Sequence, residues 1–382
     1  MMNKPNIKIA LIAGEDSGDL LGADLIKNLK KLNSNIEYIG VGGKKMKAEG
    51  LDLISSNKEF AIMGIAEVFQ KLPKLLKLRK HIINRIIDEK PDLFIGIDAP
   101  DLNFPIEKKL KKQGIKIIHY VSPSIWAWRP KRAVQISRIT DLVLTLFPFE
   151  PQYYKKVGGQ ATFVGHPLSQ NIPLEIDKLT AKSKINLDMG KPVMAVLPGS
   201  RTNELKAHTD LFIKTALELK KINPELQIIS ANTNKVKIQY IQECANRNKL
   251  AIKIYNDATD VLKAADFSLL ASGTVALEAM LCKTPMVIGY KISKITYTIV
   301  KSFNMMLLPY YSLPNVLYGD FLVQEILQKN MTVNNLLIAL LPLTKSNKQS
   351  ELQTEFTRLH QDLLSPDNNA AKAVSNFLKC QQ

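Results

Sequence analysis

Short, nearly continuous apolar runs that end in small or polar residues constrain this chain more than any other feature. IKIALIA precedes GEDSGD, DLFIGI precedes DAPD, IKIIHYV precedes SPS, VMAVLP precedes GSR, and FSLLA precedes SGT. Strands read this way when helices cover both faces of a parallel sheet; a strand with one wet face would alternate instead. Segments of helical period, such as LLGADLIKNLKKL and TVALEAMLC, lie between the runs. The pattern predicts an α/β doubly wound sheet. It occurs twice, so two Rossmann-like domains facing an interdomain cleft are expected.

A chain of 382 residues accommodates two domains, each with its own core. We place the first at 1–168 and the second at 191–344. The stretch 169–190 has few sustained apolar runs and carries Pro173, and it is expected to be the interdomain connection. The polar tail, 345–382, is expected to pack back on the first domain or on a partner subunit. Ligands of open α/β sheets bind beyond the carboxyl ends of the strands, which is where each polar cluster falls.

The net charge of +17 favours an anionic partner: nucleic acid, a negatively charged membrane surface, or a phosphorylated substrate. Cys244, Cys282 and Cys380 have no CxxC spacing and suggest neither a disulfide framework nor a zinc site, which fits a reducing cytoplasm. The run IKIALIAG is followed by acids and no cleavage-site pattern, so it reads as a strand and not as a signal peptide. No apolar run reaches the roughly 20 residues that span a bilayer, so membrane contact is expected to be peripheral.

In the second domain, PGSRTNEL sets Gly199 and Ser200 after a strand and then supplies Arg201. Glycine permits close backbone approach to a phosphate and Arg can bind its oxygens bidentately; the alternative is an ordinary strand-to-helix turn. ASGTVALEAM offers Ser272 as an N-cap, Gly273 for clearance, and the free N–H groups of a helix start for an anion. Glu278 lies one helical turn after Thr274, so it could reach a ribose hydroxyl while Thr274 faces a phosphate. Its alternative role is interaction with the helix dipole. Asn315, in the turn-rich SLPNVLYG, could bind a ligand or close the turn.

In the first domain, GIDAPDLNF sets Asp98 and Asp101 just after a buried strand. A partly desolvated carboxylate there suits acceptance of a proton from a sugar hydroxyl, and we assign Asp98 to that task and Asp101 to capping. Glu15, Asp16 and Asp19 of GEDSGD have no accompanying His, so substrate recognition or loop structure, with Ser17 as an N-cap, is expected in place of a metal. His119 and His166 read as structural. Trp126 and Trp128, the chain's two tryptophans, lie beside Arg129, Lys131 and Arg132 in SPSIWAWRPKR. Such a cluster could stack on bases, sit at a membrane surface, line a sugar pocket, or form a buried loop with a solvated basic edge. Residues 70–90 and 290–311 mix apolar and basic residues, compatible with a lipid-facing surface or with helices covering the sheet.

AGEDSGD, GVGGKKM, GIDAPDLNF, HYVSPSIWAWRPKR, FPFEPQYY, FVGHPL, LPGSRTNEL, LASGTVALEAML and SLPNVLYG occur in the order and spacing of lipid-A-disaccharide synthases, which the chain resembles from about residue 8 to about 328. The resemblance implies a glycosyltransferase-B fold. It also implies transfer of diacylglucosamine from UDP-2,3-diacylglucosamine to 2,3-diacylglucosamine 1-phosphate, giving a β-1,6-linked disaccharide 1-phosphate and UDP. By the same resemblance, Arg201, Ser272, Gly273, Thr274 and Glu278 would hold UDP with Asn315 nearby, and Asp98 would activate the acceptor hydroxyl. Gly199 and Ser200 join the donor group; Glu15, Ser17, Asp19, Ser122 and Arg129 are expected on the acceptor side of the cleft. Inversion, no metal or cofactor, a homodimer whose C-terminal segments are exchanged or pack back on the first domain, and a peripheral position on the cytoplasmic face of the inner membrane complete the expectation. Nucleic acid is not an expected partner. A UDP-N-acetylglucosamine 2-epimerase on the same architecture is the rival enzyme; a non-enzymatic nucleic-acid or membrane binder would leave GSR, SGT and Glu278 without a task.

Overall fold

The structure is a computed structural model that describes residues 7–60, 65–128, 131–271, 273–291, 308–365 and 369–380. It comprises two compact units, Met1–Pro167 with Ser365–Gln382, and Leu168–Leu364.

Among the described residues, the first unit holds seven parallel strands: β1 (Ile7–Ala13), β2 (Ile36–Gly42), β3 (Asp52–Ser56), β4 (Leu93–Ile97), β5 (Lys116–Tyr120), β6 (Leu142–Thr145) and β7 (Ala161–Phe163). Their order is β3-β2-β1-β4-β5-β6-β7, with Ile9 of β1 set between Tyr38 and Leu93. The chain builds outward from β1 to one edge and then returns to β4. The loops after β1 and β4 therefore leave toward opposite faces and open a crevice between them. GEDSGD and DAPD occupy those two loops.

The continuous apolar runs have the cause inferred for them. β1 and β4 are buried on both faces: Leu25, Ile26, Leu29 and Val374 cover one side, and Ile82, Ile86, Ile106 and Leu110 the other. The helix Pro100–Lys111 opens with Pro100 and Asp101 and ends with Lys108, Lys109 and Lys111, a charge order that suits its dipole. Edge strands β3 and β7 are less buried than the centre, as the loss of a neighbour requires.

The second unit repeats the plan with β8 (Val193–Leu197), β9 (Gln227–Ala231), β10 (Lys253–Tyr255), β11 (Phe267–Leu270), β12 (Met286–Tyr290) and β13 (Gln324–Leu327), ordered β10-β9-β8-β11-β12-β13. The strands are parallel, and the switch in direction falls between β8 and β11. GSR follows β8 and SGT follows β11.

Two expected boundaries differ. The stretch 169–190, expected as the interdomain connection, packs within the second unit: Ile172, Ile185 and Leu187 are buried, and Lys182 Nζ donates to Asp266 Oδ2 at 2.9 Å. Isolated apolar residues among prolines and lysines carry no period, so the sequence hides this packing. The tail is likewise divided. The helix Ser346–Leu363 buries Leu352, Phe356 and Leu359 in the second unit, and Ala370–Lys379 sets Ala371 and Val374 into the core of the first.

In the basic helix Ile65–Glu89, Ile83 and Ile86 are buried against the sheet with Ile87 packed alongside, so this part of the apolar face serves the core. Leu76 is half exposed. Of the second basic-apolar segment, 292–307 lies outside the described residues, and with it Tyr297, Phe303, Met305, Met306 and Leu307. Among the described residues, no helix is long and apolar enough to cross a membrane.

Candidate active site

The second unit carries a pocket of about 410 Å³ beyond the carboxyl ends of its strands. Gly199, Ser200, Arg201 and Glu204 line it after β8, Asn232 and Thr233 after β9, Asn256 and Ala258 after β10, and Gly273, Thr274 and Glu278 after β11. Its volume lies in the range of small-molecule sites, and its place at the β8/β11 switch point is the usual one for a nucleotide.

Backbone geometry shapes the GSR loop. Gly199 has φ +118°, and a Cβ there would come within 2.6 Å of Glu204 Cβ. The helix Thr202–Ile222 follows, with Arg201 as its N-cap and Glu204 at its third position. Glu204 Oε2 accepts from the backbone N–H groups of Ser200 and Arg201, each at 3.1 Å, and its Oε1 accepts from Arg201 Nη1 at 3.1 Å. This carboxylate folds the loop and occupies the Ser200 and Arg201 N–H groups, which are therefore not open to a phosphate. The Arg201 side chain remains 82% exposed, so its remaining donors are open to an anion. Lys237 Nζ, 2.5 Å from the Ser200 carbonyl, adds a second cation beside the loop.

After β11, Gly273 is the N-cap of the helix Thr274–Leu281, whose first residues, Thr274 and Val275, line the pocket, and a helix start offers N–H groups that have no partner within the helix. Glu278 stands one turn deeper and accepts from Thr259 Oγ1. Burial holds its carboxyl above the usual range, with the Thr259 hydroxyl acting in the opposite direction. Ser272 lies outside the described residues; Gly273 takes the capping position expected of it. The structure thus brings Gly199, Ser200, Arg201, Gly273, Thr274 and Glu278 to one pocket.

Asn315 is placed otherwise. It is fully buried: Nδ2 donates to the Val323 carbonyl and Glu325 Oε1, and Oδ1 accepts from the Leu322 and Val323 N–H groups. All four bonds a primary amide offers in this arrangement go to the protein, so Asn315 shapes its loop and does not face the pocket. Glu204, Asn232, Thr233 and Asn256 are pocket residues that sequence reasoning passed over. The strand-end rule would have found the last three, which directly follow QIISA and KIY.

In the first unit, Asp98 and Ala99 follow β4 with φ of +50° and +42°. Asp98 is partly buried, and among the described residues none hydrogen bonds to its carboxylate. Asp101 is exposed in the first helical turn, 3.8 Å from Arg132. Glu15 and Ser17 are exposed at the end of β1, but the helix begins at Asp16 with Glu15 as N-cap, so Ser17 is not the cap. Asp19 is buried, and its oxygens accept from Gly43, Lys45 and Met46 N–H at 2.6, 3.0 and 3.1 Å. That is the work of a cap on the GGKKM turn, and it leaves Asp19 a structural part. Arg129 lies outside the described residues. Among those described, no group of three or more His, Cys, Asp or Glu side chains is arranged to hold a metal.

Ser122 is buried, with Oγ 2.7 Å from Tyr154 Oη. Trp126 packs edge-on to Phe149, whose ring stacks on Phe147, which in turn stacks on His166. The SPSIWAW loop is therefore braced by FPFE and GHP. Burial pushes the Glu150 carboxyl up to about 8, against the Phe147 N–H that donates to it at 3.1 Å. Burial also pushes His166 down to about 4.

These two groups have opposite pH signatures. Folded His166 resists protonation, so its contribution is complete above pH 6.5 and is lost as pH falls toward 4. Folded Glu150 resists ionisation, so its contribution is complete below pH 4.5 and is lost as pH rises toward 8. We predict that Glu150→Gln gains thermal stability relative to wild type as pH rises from 5 to 8, by up to ~1.4 kcal/mol per pH unit. Melting curves across that range check it, and a pH-independent difference would refute it.

Comparison with known proteins agrees with this geometry. A family model described as lipid-A-disaccharide synthetase matches residues 9–376. A lipid-A-disaccharide synthase of Xanthomonas axonopodis pv. citri is 44% identical over 97% of this chain and 86% of its own length. That of Idiomarina loihiensis is 42% identical over 97% and 98%. Among solved structures, the UDP-GlcNAc 2-epimerase of Neisseria meningitidis bound to UDP-GlcNAc superposes with TM-score 0.63 at 11% identity, covering 98% of this chain and 100% of its own. The calicheamicin glycosyltransferase CalG4 gives 0.61 at 14% identity, with 99% of each chain covered. At such identities the structural likeness establishes a glycosyltransferase-B type fold and nothing about the reaction.

Proposed function

The chain belongs to the lipid-A-disaccharide synthase family, and from that premise we propose the donor, acceptor, stereochemistry and residue roles of its reaction. The donor is UDP-2,3-diacylglucosamine, the acceptor is 2,3-diacylglucosamine 1-phosphate, and the products are the β-1,6-linked disaccharide 1-phosphate and UDP. Asp98 takes the proton of the acceptor's 6-hydroxyl as that oxygen bonds to the anomeric carbon of the donor. The bond from that carbon to the diphosphate oxygen breaks with inversion, and UDP departs with the electron pair. A base on one face and charge stabilisation on the other is the logic of an inverting carboxylate enzyme, with a sugar hydroxyl in place of water.

Arg201 and the free N–H groups at the start of Thr274–Leu281 meet the diphosphate, while Glu278 takes the ribose hydroxyls. Two cationic elements already oppose the leaving charge, so the reaction proceeds without a metal. Gly199 and Ser200 give the loop its close approach. Asn315 and Asp19 serve by holding loops in shape. The observation that carries the donor reading is the convergence of Arg201, Gly273, Thr274 and Glu278 on one pocket at the β8/β11 switch point. The positive charge of the chain suits a phosphorylated acceptor and peripheral attachment to the anionic cytoplasmic face of the inner membrane, and the protein acts as a homodimer.

Purified protein given both diacylated substrates is expected to release UDP and form disaccharide with a β anomeric proton coupling, with unchanged turnover in EDTA. With UDP-N-acetylglucosamine alone it is expected to produce no 2-epimer. Absence of UDP release with soluble, intact substrates would overturn the reading, and an α product would overturn the inversion.

A further inference from the structure

Asp98 and Ala99 are two consecutive non-glycine residues in the left-handed region, a backbone shape that persists only where the surroundings enforce it. Three bonds do so. The Asp98 N–H continues the sheet by donating to the Tyr120 carbonyl at 2.8 Å. The Asn103 N–H returns to the Ala99 carbonyl at 3.0 Å. The Asn103 side chain then closes the turn, its Nδ2 lying 2.8 Å from the Asp98 carbonyl, 3.2 Å from that of Ile97 and 3.4 Å from that of Ile12. One amide group thereby ties together the ends of β1 and β4, the two strands of the switch point.

Asn103 heads a buried polar column. Glu107, one helical turn on, and His119 of β5 are also fully buried, with His119 Nδ1 2.6 Å from Glu107 Oε1. β4 makes room for the column at Gly96, where a Cβ would lie 2.2 Å from Glu107 Oε1 and 3.1 Å from Asn103 Cγ. Buried polar groups are costly unless bonded, and an apolar side chain at 103 would leave the strand-end carbonyls without their donor. Within the column it is Asn103 that bonds the backbone carrying the Asp98 carboxylate.

We propose that Asn103 is a positioning residue for this reaction: it acts through Asp98 by holding the left-handed Asp98–Ala99 turn. The proposal rests on the reading of Asp98 as the base. A misplacement of about 1 Å at a reacting group can cost on the order of 100-fold in rate. Removal of the amide is therefore expected to lower kcat while sparing the nucleotide pocket, which belongs to the other unit.

The test is a cycle of Asn103→Ala, Asp98→Asn and the double variant, each checked for folding by melting, with kcat and the KM for the UDP sugar measured. Residual rates are read by single turnover at high enzyme concentration. Asn103→Ala is expected to lose about 10- to 100-fold in kcat, with KM for the donor within about 2-fold. Adding it to Asp98→Asn is expected to cost nothing further, because the group it positions is gone. Multiplicative losses, or wild-type kcat in Asn103→Ala, would overturn the proposal. Wild-type turnover in Asp98→Asn alone would instead overturn the base assignment, so the two failures are distinct. If Asn103→Ala does not fold, Asn103→Ser, which keeps one donor, carries the same comparison.

Discussion

Asp98→Asn is expected to lower kcat by about 10²- to 10⁴-fold while leaving UDP affinity unchanged. The substitution keeps the shape of the side chain and removes its capacity to accept a proton at neutral pH. Asp98 stands at the end of β4 on a backbone held by the Tyr120 carbonyl and the Asn103 amide, and its carboxylate has no hydrogen-bond partner among the described residues. A carboxylate so placed is aimed by its backbone and left open to a substrate hydroxyl. Because the nucleotide pocket is built entirely from the second unit, UDP binding should not register the change. Steady-state kinetics and calorimetric titration with UDP check both halves. Wild-type turnover would remove Asp98 as the base; lost UDP affinity would show that its role is not confined to proton transfer.

Arg201→Gln is expected to lower kcat/KM by about 10²- to 10³-fold and to weaken UDP binding. Gln keeps hydrogen-bonding capacity and the preference for helix, so the change isolates the charge and the fork of donors. Glu204 holds the guanidinium by one nitrogen while most of the side chain faces solvent, an arrangement in which the other donors can engage diphosphate oxygens. Arg201→Lys should recover only part of the loss, since a point charge cannot replace bidentate recognition. The residual salt dependence of UDP binding should also flatten in Arg201→Gln, because one charge–charge interaction is gone. Unaltered kcat/KM in Arg201→Gln would place the diphosphate elsewhere.

The difference between Arg201 and Asn315 shows how far a sequence can be read. Both sit in turn-rich loops after apolar runs, and both matched the family's motifs. Arg201 is turned out into the pocket, whereas Asn315 is consumed by Leu322, Val323 and Glu325. Asp19 and Ser122 follow Asn315: the first caps a turn 24 to 27 residues away, and the second is bonded to Tyr154, 32 residues on. A polar residue at a strand end has two possible uses, and the choice depends on which partners the sheet order delivers to it.

The sequence by itself determined the parallel sheets, their doubling, and the position of each polar cluster at a strand end. The reason is local: continuous apolar runs can be satisfied only by burial on both faces, and the residues that stop them must lie at the edge of that burial. Tertiary structure alone decided which of those edge residues face a ligand, where residues 169–190 and 345–382 pack, and that Asn103, Glu107 and His119 form a column beneath Asp98. These outcomes rest on hydrogen bonds and contacts between elements far apart in the chain. Periodicity specifies that a face is buried, but the partner against which it is buried follows only once the strands have taken their order.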